Sequence, residues 1–191
     1  MRLRVLEKTR AKMETLYAQS LVGKRDVEHI YGAIFIGAYT AFESMLEDLF
    51  LKLLTSSVKA SRSVKSKATF NSAAAARSIV FGGKNYLDWI PYDKTLERAE
   101  QFFYSGQPFT KLSSHEKGRI KTVCLIRNAI AHSSSHARKQ FDVSVVSTLT
   151  LQPRERTPNG LLRSLHSTTP NVTRYEQLVG DLTSIAHSLT R

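Results

Sequence analysis

Apolar side chains recur at helical spacing along most of the chain. Between residues 3 and 19 the spacing is mostly that of one helix face. A longer stripe runs from about residue 26 to residue 54 and includes Ile30 and Ile34, which are separated by one helical turn. This second stripe predicts a helix of roughly 28 residues, about 40 Å long, which suits the spine of a helical bundle.

Shorter helical segments follow the long one. We predict helices over about residues 71–80, 93–103, 113–132, 135–141 and 172–189. For the third of these, Ser113 or Ser114 is the expected start, because Glu116 is close to the capping-box position. The pattern therefore predicts the all-α class, with the whole chain, 1–191, forming one domain.

One stretch departs from the helical pattern. Residues 143–151, VSVVSTLTL, are rich in β-branched side chains and predict a strand. Since one strand has no obvious partner in this chain, we expect at most a minor β hairpin near residues 143–165. The following stretch, PRERTPNG, has the composition of a loop.

The charge balance is strongly positive. The 28 Lys and Arg residues exceed the 16 Asp and Glu residues, and the formal net charge of +12 is spread over both halves of the chain. A surface of this kind attracts polyanions, so nucleic acid is the expected class of partner. Residues 55–68, TSSVKASRSVKSKA, contain no acid and are either a solvated loop or a flexible basic arm that contacts phosphates.

Cysteine content, hydropathy and the absence of known motifs indicate where the protein is located and which cofactor or metal sites it lacks. Cys124 is the only cysteine, so an internal disulfide and a cysteine metal cluster are excluded, and a reducing, cytoplasmic location is expected. The longest apolar stretch is interrupted by charged residues, so no membrane span is expected. Because P-loop, dinucleotide-binding and HExxH motifs and clustered carboxylates are absent, we predict neither a cofactor nor a metal.

The sequence RNAIAH, residues 127–132, closes the helix predicted over 113–132 and carries the candidate chemistry. Cleavage of RNA without a metal uses the neighbouring 2′-OH as nucleophile, and this step needs proton transfer by a group such as histidine. It also needs a fixed positive charge on the phosphorane-like transition state, which arginine supplies. Arg127 and His132 are residues of these two types.

The spacing of Arg127 and His132 complicates a shared site. Five residues of an ideal helix turn through about 500°, which leaves the two side chains roughly 140° apart around the axis. Asn128 and His132, in contrast, share a face. Either the helix unwinds at Ala131 and His132, or a homodimer assembles the site across a two-fold axis, and we expect the dimer.

Arg127, Asn128 and His132 match the R-x4-6-H signature of the HEPN superfamily, including the polar residue that often follows the arginine. The stretch AFESMLEDLF, residues 41–50, resembles the first core helix of prokaryotic HEPN proteins. The segment that ends in the motif also resembles small stand-alone HEPN proteins of bacterial toxin and defence loci. The resemblance covers about residues 25–141.

The resemblance implies a fold, a function and a set of roles. The fold would be a HEPN-type bundle of four to six helices with a closing helix at about 172–189, and the activity that of a metal-independent endoribonuclease. Two motifs of a homodimer would face one basic groove, and a cognate antitoxin or regulatory protein would be a further partner. Glu43 would pair with Arg127 or orient His132. Residues just past the motif would add weaker contacts to RNA: His136, Arg138 and Lys139.

Other interpretations of the same residues stay open. A histidine at a helix C-terminus interacts favourably with the helix dipole without any catalytic role, and an arginine there can be a surface residue. On that interpretation the chain is a non-catalytic HEPN-type module that binds RNA, a nucleotide or a partner protein. A basic helical DNA-binding protein is a third candidate, which no recognition-helix pattern supports.

Overall fold

The computed structural model describes residues 2–58 and 64–190, and helices dominate them. The described helices are α1 (Arg2–Ala18), α2 (Lys24–Leu54), α3 (Ala73–Phe81), α4 (Tyr92–Phe102), α5 (Ser114–Ala131), α6 (Ser135–Ser144), α7 (Pro158–Arg163) and α8 (Arg174–Thr190). The one sheet in these ranges has two antiparallel strands, β1 (Leu165–Thr168) and β2 (Asn171–Thr173). The predicted all-α class with a minor β hairpin is confirmed, although these eight helices exceed the four to six expected.

The segment that was predicted to be a strand is not one. Helix α6 continues to Ser144, and a 3₁₀ turn covers Val146–Thr148. Phe141 and Val145 are buried, whereas Val143 between them is 61% exposed. A strand would bury all three on one face, so this pattern has a helical period. The hairpin lies further along the chain, in β1 and β2.

The stretch PRERTPNG, predicted to be a loop, contains the start of α7. Pro158 takes the first helical position, where its missing N–H is harmless, and Thr157 accepts a hydrogen bond from the Gly160 N–H at 3.1 Å. Leu161 and Leu162 follow and are buried. The helix was missed because its cap and its proline are residue types that also signal a turn.

The described chain is organised as two compact units. Unit 1 consists of Met1–Ala41 and Thr122–Asp181, and unit 2 consists of Phe42–Lys121 and Leu182–Arg191. Helices α2, α5 and α8 each contribute residues to both. The sequence-based expectation of a single domain stays a prediction.

Aromatic side chains form the centre of unit 2. The ring centroid of Phe50 lies 5.0 Å from those of Trp89 and Phe103. Phe109 follows at 5.3 Å, and all of these side chains are buried. Burial of one phenylalanine side chain stabilises a fold by roughly 1.5–3 kcal/mol. The Tyr92 hydroxyl donates to the Phe109 carbonyl at 2.9 Å, which ties α4 to this cluster.

Charged and phenolic side chains connect α1 to the rest of unit 1. Arg163 donates from Nε and Nη2 to the two carboxylate oxygens of Glu14, both at 3.0 Å. The Tyr31 hydroxyl donates to Glu14 at 2.9 Å and accepts from Arg10 Nη1 at 3.1 Å. Arg10 also pairs with Glu176 at 2.7 Å. These charge-assisted hydrogen bonds hold a helix whose described side chains are at most partly buried.

Part of the basic stretch 55–68 belongs to unit 2 as ordered backbone, while residues 59–63 lie outside the described ranges. The Lys67 N–H donates to the Phe102 carbonyl at 2.8 Å, and the Lys67 ammonium donates to the Glu100 carbonyl at 2.6 Å. These bonds attach the second end of the stretch to the end of α4. Contact of the stretch with phosphates stays a prediction.

Candidate active site

Helix α5 carries the RNAIAH motif at its C-terminal end. A capping box sets its start, as predicted: the Ser113 N–H and hydroxyl donate to Glu116 Oε2, both at 2.8 Å, and the Glu116 N–H donates back to Ser113 Oγ at 3.2 Å. These hydrogen bonds, the one from the Ser113 N–H above all, lower the pKa of the Glu116 carboxyl. The helix ends at Ala131, and the His132 N–H donates to the Asn128 carbonyl at 2.9 Å, so His132 stands at the helix terminus.

The Arg127 and His132 side chains meet within one chain. Arg127 Nη1 lies 3.4 Å from His132 Nε2, with Arg127 partly buried and His132 exposed. The two side chains meet although they diverge on an ideal helix. Ala131 is still helical and the His132 N–H makes a helical hydrogen bond to the Asn128 carbonyl, so the contact does not follow from unwinding at these residues, and it is made without a second subunit. The homodimer stays a prediction.

The contact between the two side chains joins a guanidinium nitrogen to an imidazole nitrogen. A guanidinium has donors only, whereas the role of His132 Nε2 depends on the tautomer of the ring. The 3.4 Å separation is longer than an ordinary hydrogen bond, so the contact is weak and a ligand atom can replace it. The pair therefore places an imidazole nitrogen and a guanidinium side by side at the end of α5.

Asn128 contacts the arginine rather than the histidine side chain. Its Oδ1 accepts a hydrogen bond from Arg127 Nη1 at 3.0 Å, and its Nδ2 donates to Cys124 Sγ at 3.7 Å. Cys124 is buried, so the amide is anchored on the apolar side of α5. The supporting role predicted for Asn128 is therefore directed at the guanidinium.

Tyr39 of α2 lies against the guanidinium of Arg127. The Arg127 Cζ atom is 5.1 Å from the ring centroid, within the range of a cation–π contact. The tyrosine is only 4% exposed, so the ring forms a fixed apolar surface beneath the charge. The sequence pattern marks Tyr39 as a core or interface residue and does not link it to the motif, because the contact joins helices that are distant in sequence.

Arg127 keeps a positive charge that no carboxylate compensates within residues 2–58 and 64–190. Its Nε–H is buried and has no acceptor in the same part of the chain. Leaving a buried donor without a partner costs about 1–3 kcal/mol, and such groups occur where a ligand or water completes the bonding. The local electrostatics therefore favour an anion.

Glu43 lies in unit 2, where its carboxylate anchors a neighbouring segment. It accepts a hydrogen bond from the Trp89 N–H at 3.2 Å and from the Tyr86 hydroxyl at 3.4 Å. Glu47, one turn later, accepts from Trp89 Nε1 at 3.0 Å and pairs with Arg77. Both acids thus attach residues near Trp89 to α2, and the predicted action of Glu43 on the motif stays a prediction.

The charged residues after the motif differ in their availability. Arg138 is used within its own surroundings, since Nε donates to Asp142 Oδ2 at 3.1 Å and Nη2 donates to the Arg156 carbonyl at 3.2 Å. His136 and Lys139 are exposed on α6. Of the residues predicted to contact RNA, these two are free to do so without breaking an ion pair in the described part of the chain.

Unit 1 also contains a cleft of about 280 Å³ that does not include the motif. Its charged lining is largely paired internally, because Arg163 binds Glu14 and Lys24 lies 3.2 Å from Glu28. This compensation gives the cleft no excess of one charge that would select a ligand.

No group of three or more His, Cys, Asp or Glu side chains in residues 2–58 and 64–190 is arranged to hold a metal ion. None of the helices described above is long and apolar enough to cross a membrane.

Known proteins do not identify the site. Comparison with protein-family models, with curated proteins and with solved structures finds no match to this chain. The HEPN resemblance therefore rests on the motif residues and stays a prediction. The geometry around Arg127 and His132 is the basis for a functional argument.

Proposed function

We propose that the protein is a metal-independent endoribonuclease whose site is built on Arg127 and His132. The observation that carries the proposal is the 3.4 Å contact between Arg127 Nη1 and His132 Nε2 at the end of α5. It brings a proton acceptor and a fixed positive charge to one place, and metal-free cleavage of a phosphodiester needs both groups. The net charge of +12 supports RNA as the substrate.

In the proposed reaction, His132 Nε2 takes the proton of a ribose 2′-OH. The 2′-oxygen then attacks the adjacent phosphorus, and the bond from that phosphorus to the 5′-oxygen of the next nucleotide breaks. Solvent water protonates the leaving 5′-oxygen, and His132 returns its proton to solvent, so the step balances in atoms and charge. The products are a 2′,3′-cyclic phosphate and a 5′-hydroxyl.

Arg127 stabilises the charge that develops on phosphorus during this reaction. Its guanidinium stays protonated throughout, and its donors match phosphate oxygens. Because Nη1 is already beside His132, a phosphate held by Arg127 also lies beside the base. Asn128 keeps the guanidinium in place through the 3.0 Å hydrogen bond to Oδ1.

The proposed partners follow from the HEPN resemblance and from charge. RNA is the substrate, and exposed His136 and Lys139 contribute to its binding. A second copy of the chain would bring two Arg127–His132 pairs into one basic groove. The proposed setting is the cytoplasm of a bacterium, as a toxin or anti-phage defence enzyme that a cognate antitoxin or other regulator restrains.

A non-catalytic module that binds RNA, a nucleotide or a partner protein is the second candidate. The observation that favours it is the exposure of His132, together with the fact that other residues line the 280 Å³ cleft. An open surface of this kind can bind a polyanion through charge without positioning it for reaction. Such a module would retain salt-dependent affinity for RNA and cleave none of it.

The test is incubation of the purified protein with RNA in the presence of EDTA, followed by identification of the product ends. Cleavage that leaves a 2′,3′-cyclic phosphate and that is lost in His132→Ala and Arg127→Ala supports the proposal. The matched controls are His29→Ala and Arg25→Ala, which remove exposed residues of the same types from α2. Binding without cleavage favours the second candidate, and equal cleavage by all variants contradicts the proposal.

A further inference from the structure

Arg127 differs from other arginines of the described chain that lie over aromatic rings. Several of them also pair with a carboxylate: Arg10, Arg77, Arg138 and Arg163. Arg98 lies over Trp89 without such an ion pair, but its guanidinium donates to the Asp88 backbone carbonyl, and the nearby Asp88 and Glu97 carboxylates act to raise its pKa. Arg127 lies over its ring with no ion pair in residues 2–58 and 64–190, and its other partners are Asn128 and His132.

This difference matters because a carboxylate and an aromatic ring hold a guanidinium in different ways. A carboxylate fixes the group by neutralising it, so little positive charge remains for an incoming anion. An aromatic face attracts the cation through its quadrupole and carries no net charge. A ring can therefore position an arginine and leave its full charge available to a substrate.

We infer that Tyr39 is a positioning residue, which holds the Arg127 guanidinium in place for a phosphodiester without neutralising it. The inference rests on the proposed function for its catalytic consequence. Three contacts define the position: the Tyr39 ring at 5.1 Å from Cζ, Asn128 Oδ1 at 3.0 Å from Nη1, and His132 Nε2 at 3.4 Å from the same atom. Only Tyr39 lies on a different helix, so it is the contact that ties the guanidinium to α2.

The hydroxyl of Tyr39 is not required for this role, whereas the ring is. Tyr39→Phe keeps the π face, and Tyr39→Leu removes it while filling part of the buried volume. The matched control is Phe35→Leu, because Phe35 is also a buried aromatic residue of α2, one turn before Tyr39. This control separates the loss of an aromatic core residue from the loss of the ring beneath Arg127.

The first experiment does not depend on catalysis. ¹⁵N NMR of arginine Nε–H groups in the full chain should show the Arg127 signal with a ring-current shift and slow exchange with water. We expect Tyr39→Phe and Phe35→Leu to preserve both features and Tyr39→Leu to lose them. Titration with inorganic phosphate should move the same signal, and Tyr39→Leu should weaken that response. An unchanged Arg127 signal in Tyr39→Leu, or the same loss in Phe35→Leu, would overturn the inference.

The second experiment measures cleavage. Loss of a cation–π contact corresponds to roughly a 3- to 30-fold effect, which we expect in kcat rather than KM for Tyr39→Leu. Tyr39→Phe should restore kcat, and adding Tyr39→Leu to Arg127→Ala should cause no further loss. An equal fall in kcat for Phe35→Leu contradicts positioning by Tyr39. If the wild-type protein cleaves no RNA, the proposed function fails, while the NMR comparison still decides the role of Tyr39.

Discussion

Arg163 and Arg127 both belong to unit 1, and each lies over a tyrosine ring, at 4.2 Å and 5.1 Å respectively. Their other partners are different. Arg163 makes two hydrogen bonds of 3.0 Å to the carboxylate of Glu14. Arg127 contacts the amide of Asn128 and the ring of His132, and its buried Nε–H has no acceptor in the described residues.

The comparison shows how one residue type serves two purposes. The hydrogen bonds from Arg163 to Glu14 raise the pKa of the arginine and hold its charge within the fold. That ion pair connects α1 to α7, so it stabilises the fold. Arg127 contacts an aromatic ring, an amide and a histidine instead of a carboxylate, which leaves its charge available to an anion. We therefore expect Arg127→Ala to lower activity more than stability, and Arg163→Ala to lower stability more than activity.

The largest effect is expected on catalysis. Arg127→Ala should lower the rate of RNA cleavage by about 100- to 1,000-fold, because removal of one preorganised donor from a site of developing negative charge has effects of that size. Arg163→Ala should leave the rate of the folded protein unchanged. Single-turnover cleavage of a labelled RNA measures both. A comparable loss in the two variants would remove the functional distinction between the arginines.

The next largest effect is expected on stability, where Arg163→Ala should have the larger effect and Arg127→Ala the smaller one. Arg163→Ala should lower the free energy of unfolding by about 1.5–3 kcal/mol, since hydrogen bonds to a charged partner contribute that much. Its side chain is only 17% exposed and that of Glu14 is 32% exposed, so screening by water is limited. Arg127→Ala should change stability less. Urea unfolding followed by circular dichroism checks this, and greater destabilisation by Arg127→Ala would contradict it.

A smaller effect concerns pH. Burial opposes ionisation of Glu14, but the hydrogen bonds from Arg163 and Tyr31 outweigh it and lower the pKa of this carboxyl below its ordinary value of 4.5. A carboxylate of this kind stabilises the fold above the pKa of the unfolded chain, and its contribution is lost as the pH falls through the lowered folded value.

Glu14→Gln should therefore be less stable than the wild type near neutral pH and lose less stability on acidification below about pH 4.5. Thermal unfolding at a series of pH values measures the difference. The control is Glu97→Gln, which removes an exposed carboxylate from a surface pair with Lys94 and should leave the pH profile unchanged. Parallel profiles for Glu14→Gln and the wild type would count against the role assigned to Glu14.

The last prediction is that two inactive variants do not complement each other. Because Arg127 and His132 meet in one chain, a mixture of Arg127→Ala and His132→Ala proteins contains no subunit with both groups. Refolding the two variants together, which allows mixed dimers to form, should therefore restore no cleavage. Recovery toward about a quarter of the wild-type rate, because about half of the dimers would be mixed and each would have one intact site of two, would show that the two residues act across a dimer.

Much of the secondary structure could be predicted from the sequence because its signals are local. Apolar spacing placed α2 and α5 within a few residues, and Ser113 with Glu116 identified the start of α5. Local signals failed where one composition fits two structures. The β-branched residues 143–151 form the end of α6, a 3₁₀ turn and irregular backbone, and the proline and threonine that start α7 were interpreted as a loop.

For the candidate site, the residues could be predicted from the sequence but their contacts could not. Arg127, Asn128 and His132 could be selected from the sequence, because their residue types suit the chemistry and their spacing matches the R-x4-6-H signature. Their mutual contacts could not, because ideal helical geometry separates the arginine from the histidine and says nothing about where α5 ends. The partners of Glu43 were also beyond local reasoning, since Trp89 is distant from it in sequence.

By itself the sequence determined the helical class, the positive charge and the presence of a histidine and an arginine near the end of one helix. Only the tertiary structure decided that Arg127 lies over Tyr39, bonds to Asn128 and reaches His132 without a carboxylate among its described partners. The physical reason is that helical periodicity depends on neighbours within a turn. The environment of a side chain depends instead on which residues of other helices pack against it.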